Sequence, residues 1–131
     1  MDRLFTLEEA NALLGWLETK LSALEPYYAE LARSQERRAA LLEKGRGNGA
    51  SHLEEEANRL QQMLEELQKS MQDTLDDIAR RGIIVRDLQR GLVDFPSLRE
   101  GRQVLLCWLR GEPDIRFWHD LDTGFAGRQP L

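Results

Sequence analysis

Two long runs of apolar residues, each spaced alternately by three and four and separated by a glycine-rich break, constrain this chain more than any other feature. The first run is Leu7, Ala10, Leu14, Leu17, Leu21, Leu24, Tyr28, Leu31, Gln35, Arg38 and Leu42, the spacing of a coiled-coil seam. Thr6 and Glu9 stand at capping-box distance in TLEE, so the spacing predicts a helix over residues 7–44. Pro26 has no N–H to give to Ser22, and its ring presses on that carbonyl; because the seam keeps its phase through the proline, a kink is expected there rather than a stop. GRGNGAS, residues 45–51, then reverses the chain, since glycines are poorly tolerated inside helices. Ser51 and Glu54 repeat the capping-box spacing, and Leu53, Ala57, Leu60, Leu64, Leu67, Met71, Thr74 and Ile78 carry a second helix over 52–81, closed by Gly82. The pair is expected to form an antiparallel, coiled-coil-like helical hairpin.

Toward the base of that hairpin the apolar stripe widens. Phe5, Leu13, Trp16, Ala23 and Tyr27 join it on the first helix, Met63 and Leu75 on the second, and such a stripe needs a covering element. The cover is either the C-terminal segment or another subunit. After Gly82 the pattern changes to short β-type runs at Ile83–Leu88, Gly91–Phe95, Arg102–Leu109 and Ile115–His119, which predict a small antiparallel sheet over 83–119 and an extended tail over 120–131. RGEPD reads as a tight hairpin. If Arg110 opposes Asp114, Cys107 opposes Phe117 and Leu105 opposes His119, which makes Cys107 and His119 diagonal neighbours on one face, about 7–8 Å apart along the backbone. The fold class expected is α+β, mainly α, in a single domain.

The net charge of −5 is unevenly distributed. Residues 1–79 hold nine basic and sixteen acidic side chains, whereas residues 80–131 hold nine arginines, no lysine and seven acids. An acidic helical body repels phosphate backbones, so general nucleic-acid binding is not expected. The single cysteine excludes an internal disulfide, and a reducing, cytoplasmic setting suits it. No apolar run approaches the twenty or so residues that cross a bilayer, and no secretory signal is present, so membrane attachment is not expected.

The phrases GLVDFPSLREGRQVLLCWLRGEPDIRFWHDLDTGFAGRQPL and, near the start, FTLEEAN at Phe5–Asn11 resemble the bacterial domain of unknown function 2203 family over essentially the whole chain. The resemblance implies a helical-hairpin protein with a compact C-terminal segment. It implies no activity.

Chemistry-bearing residues crowd the last forty positions. His119 with Asp120 or Asp122, and with Asp94, supplies the imidazole and carboxylates that suit a transition metal; the alternative is structural hydrogen bonding by the same groups. Cys107 and His119 form a second candidate pair, a thiolate dyad, against which stand the leucines around the thiol. Arg86, Arg90 and Arg128 are candidates for holding an anion, or for pairing with carboxylates such as Asp94. The wide apolar base and the tail ending in RQPL offer surfaces for a second copy, giving a homodimer, or for a protein partner. The reading that these features favour is a self-associating binding or scaffold module without catalysis; the alternative is a small metal-dependent enzyme or metal-binding protein centred on His119. No phosphate loop, nucleophile elbow, zincin helix or dinucleotide fingerprint occurs, so no reaction class follows.

Overall fold

The computed structural model describes residues 3–44 and 50–131. They form four helices, α1 (Leu7–Ala12), α2 (Leu14–Ser22), α3 (Glu25–Lys44) and α4 (Ala50–Arg80), followed by strands β1 (Ile84–Asp87), β2 (Leu92–Arg99), β3 (Arg102–Leu109), β4 (Phe117–His119) and β5 (Gln129–Pro130). The fold is α+β, with one antiparallel sheet in the order β1-β2-β3-β4-β5. The chain divides into two compact units, one of Met1–Ser22 with Asp73–Leu131 and one of Ala23–Gln72.

The capping box at Thr6 is formed: its hydroxyl accepts from Glu9 N at 3.1 Å, and Glu9 Oε1 accepts from Thr6 N at 2.8 Å. The single helix expected over 7–44 is instead three. At Leu13 the ladder tightens, with Leu13 N donating to Ala10 O at 3.1 Å. The second interruption, at Ala23 and Leu24, falls just before Pro26. There the proline occupies the first turn of α3, where a missing N–H costs nothing. α4 starts at Ala50, so Ser51 lies inside the helix rather than capping it, and the expected turn at 45–49 lies outside the described residues. At its other end Gly82, with φ of +87°, receives the chain and donates to Ala79 O at 2.9 Å.

In the smaller unit Leu24, Leu60 and Leu67 are buried. Glu56 is buried with them, between the guanidinium groups of Arg37 and Arg59, each 3.3 Å from Oε1. In the larger unit one face of the sheet carries Val93, Phe95, Val104, Leu106, Trp108 and Trp118. These residues share a core with Phe5, Ala10, Leu17, Leu21 and Ile78, and Leu13 and Trp16 pack at its margin. Of the wide base stripe, Phe5, Leu13 and Trp16 are thus covered by this chain's own sheet. Polar ties hold the layers: Lys20 Nζ reaches Asp77 Oδ2 at 2.6 Å, Arg110 grips both oxygens of Glu18 at 2.9 and 2.7 Å, and Asn11 Oδ1 accepts from Ile115 N at 2.8 Å.

β2 runs through Pro96, beyond the expected end at Phe95. Pro96 O accepts from Phe5 N at 2.7 Å, and Ser97 Oγ donates to Phe5 O at 2.6 Å. The carbonyl of Pro96 therefore points away from β3. The nitrogen of a strand residue points the same way as its carbonyl, so the missing N–H removes no bond from the β2–β3 ladder.

Candidate metal centre

The register of three strands assembles the site. β2 and β3 join through Glu100 and Gly101, with φ of +53° and +76°, and Arg99 opposite Arg102. Two central residues at positive φ make the primed two-residue turn that fits twisted hairpins. From that turn the ladder counts back to Asp94 opposite Cys107. Across the next hairpin Leu105 opposes His119 and Cys107 opposes Phe117, the register expected from RGEPD. Side chains directly opposite share a face, so Asp94, Cys107 and His119 all project from the sheet side that the helices do not cover. All three are buried, with exposures of 1% each.

The closing segment of the chain covers them. It is not the extended tail expected over 120–131. After a turn at Leu121–Thr123 it makes a short 3-10 helix at Phe125–Gly127, then adds β5 beside β4, with Leu131 N donating to Arg116 O at 2.9 Å. Arg128 anchors this segment: its guanidinium lies 4.1 Å from the centre of the Phe117 ring and 4.7 Å from that of Phe125, and it bonds both Glu112 oxygens at 2.7 and 2.8 Å. Gly127 is required by proximity, since a Cβ there would stand 2.5 Å from Thr123 Cβ. Between this segment and the sheet lies a cavity of about 350 Å³ whose wall includes Asp94, Cys107, His119, Arg86, Leu92 and residues 121–125.

One ligand atom from each of Asp94, Cys107 and His119 lies within 4.8 Å of the other two. His119 Nε2 stands 3.0 Å from Asp94 Oδ1, and His119 Nδ1 stands 2.8 Å from the carbonyl oxygen of Asp120. A carbonyl oxygen only accepts, so Nδ1 carries a proton and Nε2 is the nitrogen turned to the site. The other carboxylate oxygen, Oδ2, accepts from Arg86 Nε at 2.8 Å. Arg86 reaches it by ordinary alternation along β1: Ile84 opposes Asp94 and Val85 opposes Val93, so the side chain two residues after Ile84 returns to the Asp94 face as a diagonal neighbour. Burial pushes the Cys107 thiol up to about 12; the neighbouring Asp94 carboxylate adds to this and Arg128 partly offsets it.

These contacts sort the expected candidates. Asp94 and His119 come together and Cys107 joins them. Asp120 contributes its backbone oxygen while its side chain pairs with Arg102, so its carboxylate is spent elsewhere. Asp122 lines the cavity. As a nucleophilic dyad Cys107 and His119 are poorly arranged, because the thiol is held protonated and both imidazole nitrogens are engaged. Of the three arginines proposed for an anion, Arg86 pairs with Asp94, Arg128 with Glu112, and Arg90 stands 5.9 Å from the Phe125 ring centre.

The family described as Uncharacterized conserved protein (DUF2203) matches residues 3–131. The chain belongs to the DUF2203 family. Comparison with curated proteins and with solved structures gave no match. Among the described residues no helix is long and apolar enough to cross a membrane.

Proposed function

We propose that this DUF2203 protein binds a divalent transition metal through Asp94 Oδ1, Cys107 Sγ and His119 Nε2, with zinc the best chemical fit. The observation that carries the reading is the double hold on the ligands. His119 donates Nδ1–H to the Asp120 carbonyl, and Asp94 accepts from Arg86, each leaving its inner atom aimed at the other and at the cysteine. Outer hydrogen bonds of this kind orient metal ligands and fix the histidine tautomer. In a tetrahedral site with bonds near 2.05 Å, neighbouring nitrogen and oxygen ligands sit about 3.3 Å apart, close to the 3.0 Å between Nε2 and Oδ1. Without an ion, the same two atoms need a proton between them. An ion replaces that proton and deprotonates the buried thiol. Thiolate, imidazole and carboxylate together favour zinc over the harder magnesium or calcium.

Three protein ligands on a cavity wall match catalytic rather than closed structural zinc sites, and such an ion would serve as a Lewis acid. The test is metal analysis by mass spectrometry on untagged protein purified without chelator. One equivalent of zinc or a neighbouring metal is expected in the wild type, and less than a tenth of that in His119→Ala and Cys107→Ser; full occupancy in both variants overturns the assignment.

A second reading, self-association through an apolar surface, is supported by a different observation. Leu4, Leu7, Leu98 and Leu131 are each more than a third exposed and line a groove of about 410 Å³. Molar mass by light scattering tests it, with a dimer weakened by Leu98→Glu expected and a strict monomer contrary. We also infer that α3 and α4 are the arms of an antiparallel hairpin, for which the Arg37–Glu56 ion pair is the support.

A further inference from the structure

We propose that the coordination position left open by three protein ligands takes the carboxylate of a small monoanionic organic acid, with Arg86 as its second anchor. This rests on the metal assignment above and names what the site would bind.

Arg86 and the ion share one carboxylate. Asp94 presents Oδ2 to Arg86 Nε and Oδ1 to the side where His119 Nε2 stands, so guanidinium and ion are held next to each other by the two oxygens of a single group. A guanidinium has five N–H donors in a planar fork, and Asp94 engages Nε; the remaining edge belongs to a group that also lines the cavity. A ligand with two oxygens on one carbon matches the pair, one oxygen on the ion and one on the fork.

Charge selects a monoanion. A divalent ion, the Asp94 carboxylate, a Cys107 thiolate, neutral His119 and the Arg86 guanidinium sum to a single positive charge. A ligand carrying one negative charge neutralises these groups around the ion, and Asp122, solvent-exposed at the cavity wall, opposes a second charge. Leu92, Leu121 and Phe125 add an apolar part to the wall, beside Thr123 and Gly124. That surface rewards a hydrocarbon substituent and leaves a bare oxyanion with nothing to bury.

The test uses the full chain loaded with cobalt(II), whose visible bands report both ligand identity and coordination number. Acetate, butyrate and inorganic phosphate are each titrated in. Saturable band changes are expected with butyrate at about fifteenfold lower concentration than with acetate, from burial of the two added methylenes, and a weaker response to phosphate. Arg86→Gln should raise the butyrate half-saturation roughly tenfold. Leu121→Ser, on an exposed residue of the closing segment, should reduce the preference for butyrate over acetate, with Leu92 and Phe125 still in the wall, while the thiolate-to-cobalt band persists. Carboxylates that leave the bands unchanged while the thiolate-to-cobalt band is present overturn the ligand inference and spare the metal site; phosphate matching butyrate, or Arg86→Gln without effect, overturns it too. Absence of any thiolate-to-cobalt band removes the metal assignment, and this inference with it.

Discussion

Replacing Asp94 with alanine tests the site as a physical network, even with chelator present and no ion bound. The carboxylate is 1% exposed and joins Arg86 to His119 at 2.8 and 3.0 Å. Its removal strands two partners unequally. Arg86, with its side chain 45% exposed, turns to water at little cost. His119, 1% exposed, cannot, and its Nε2 is left without a partner in the interior. A buried polar group without a partner costs about 1–3 kcal/mol, and breaking a fully buried ion pair costs about 3–5 kcal/mol. With one partner able to resolvate, the expected loss is about 2–3 kcal/mol. For a domain of this size that lowers Tm by roughly 6–15 °C. Urea unfolding followed by tryptophan fluorescence reads the change, because Trp108 and Trp118 are buried in the same unit. His119→Ala and the double variant complete a cycle, in which a coupling above about 1 kcal/mol is expected. A loss under about 0.5 kcal/mol for Asp94→Ala, or additive single effects, would refute the network.

Three further outcomes follow from the same contacts. Gly127→Ala drives a methyl to 2.5 Å from Thr123 Cβ, so the closing segment should loosen; amide exchange should accelerate in residues 121–131 and stay unchanged in β2 and β3. The Glu18 carboxyl lies below its usual range because Arg110 donates to it. A depressed folded pKa contributes stability above the unfolded carboxylate range that is lost as pH falls through the folded value, so the stability gap between wild type and Arg110→Met should narrow on acidification and not on going from neutral to mildly alkaline pH. Cys107, 1% exposed beneath the closing segment, should resist iodoacetamide in native protein and react within minutes in denaturant; rapid native labelling would contradict its burial.

Much of this could be read from the chain, and the failures have specific causes. The second seam was legible because a helix buries what recurs along one stripe: Leu60, Leu67 and Thr74 are buried at intervals of seven. The β3–β4 register is the one that Arg110 opposite Asp114 implies, although the connection is not a tight hairpin: β3 ends at Leu109, β4 starts only at Phe117, and residues 110–116 lie outside the strands. What escaped was Asp94 opposite Cys107. Pro96 marks a strand end in a sequence reading, and it hid the two-residue turn at Glu100 and Gly101 that fixes this pairing. Glutamate is not a residue that announces positive φ, and only docking of Phe5 beside Pro96 shows why the strand continues. The pairing of Ile84 with Asp94, which sets Arg86 diagonally beside the carboxylate, has no sequence mark beyond a lone arginine in a short strand. Likewise, residues 120–131 carry no sequence pattern beyond that of an extended tail. The fit of Gly127 against Thr123 and of Arg128 between two rings makes it a cover, and both are tertiary contacts.

The metal assignment meets its most direct test in X-ray absorption at the zinc edge on protein carrying one equivalent of zinc. One sulfur scatterer near 2.3 Å is expected with nitrogen and oxygen near 2.0–2.1 Å, the sulfur lost in Cys107→Ser. A shell of nitrogen and oxygen alone, unchanged by that substitution, would place the ion elsewhere and contradict the centre at Asp94, Cys107 and His119.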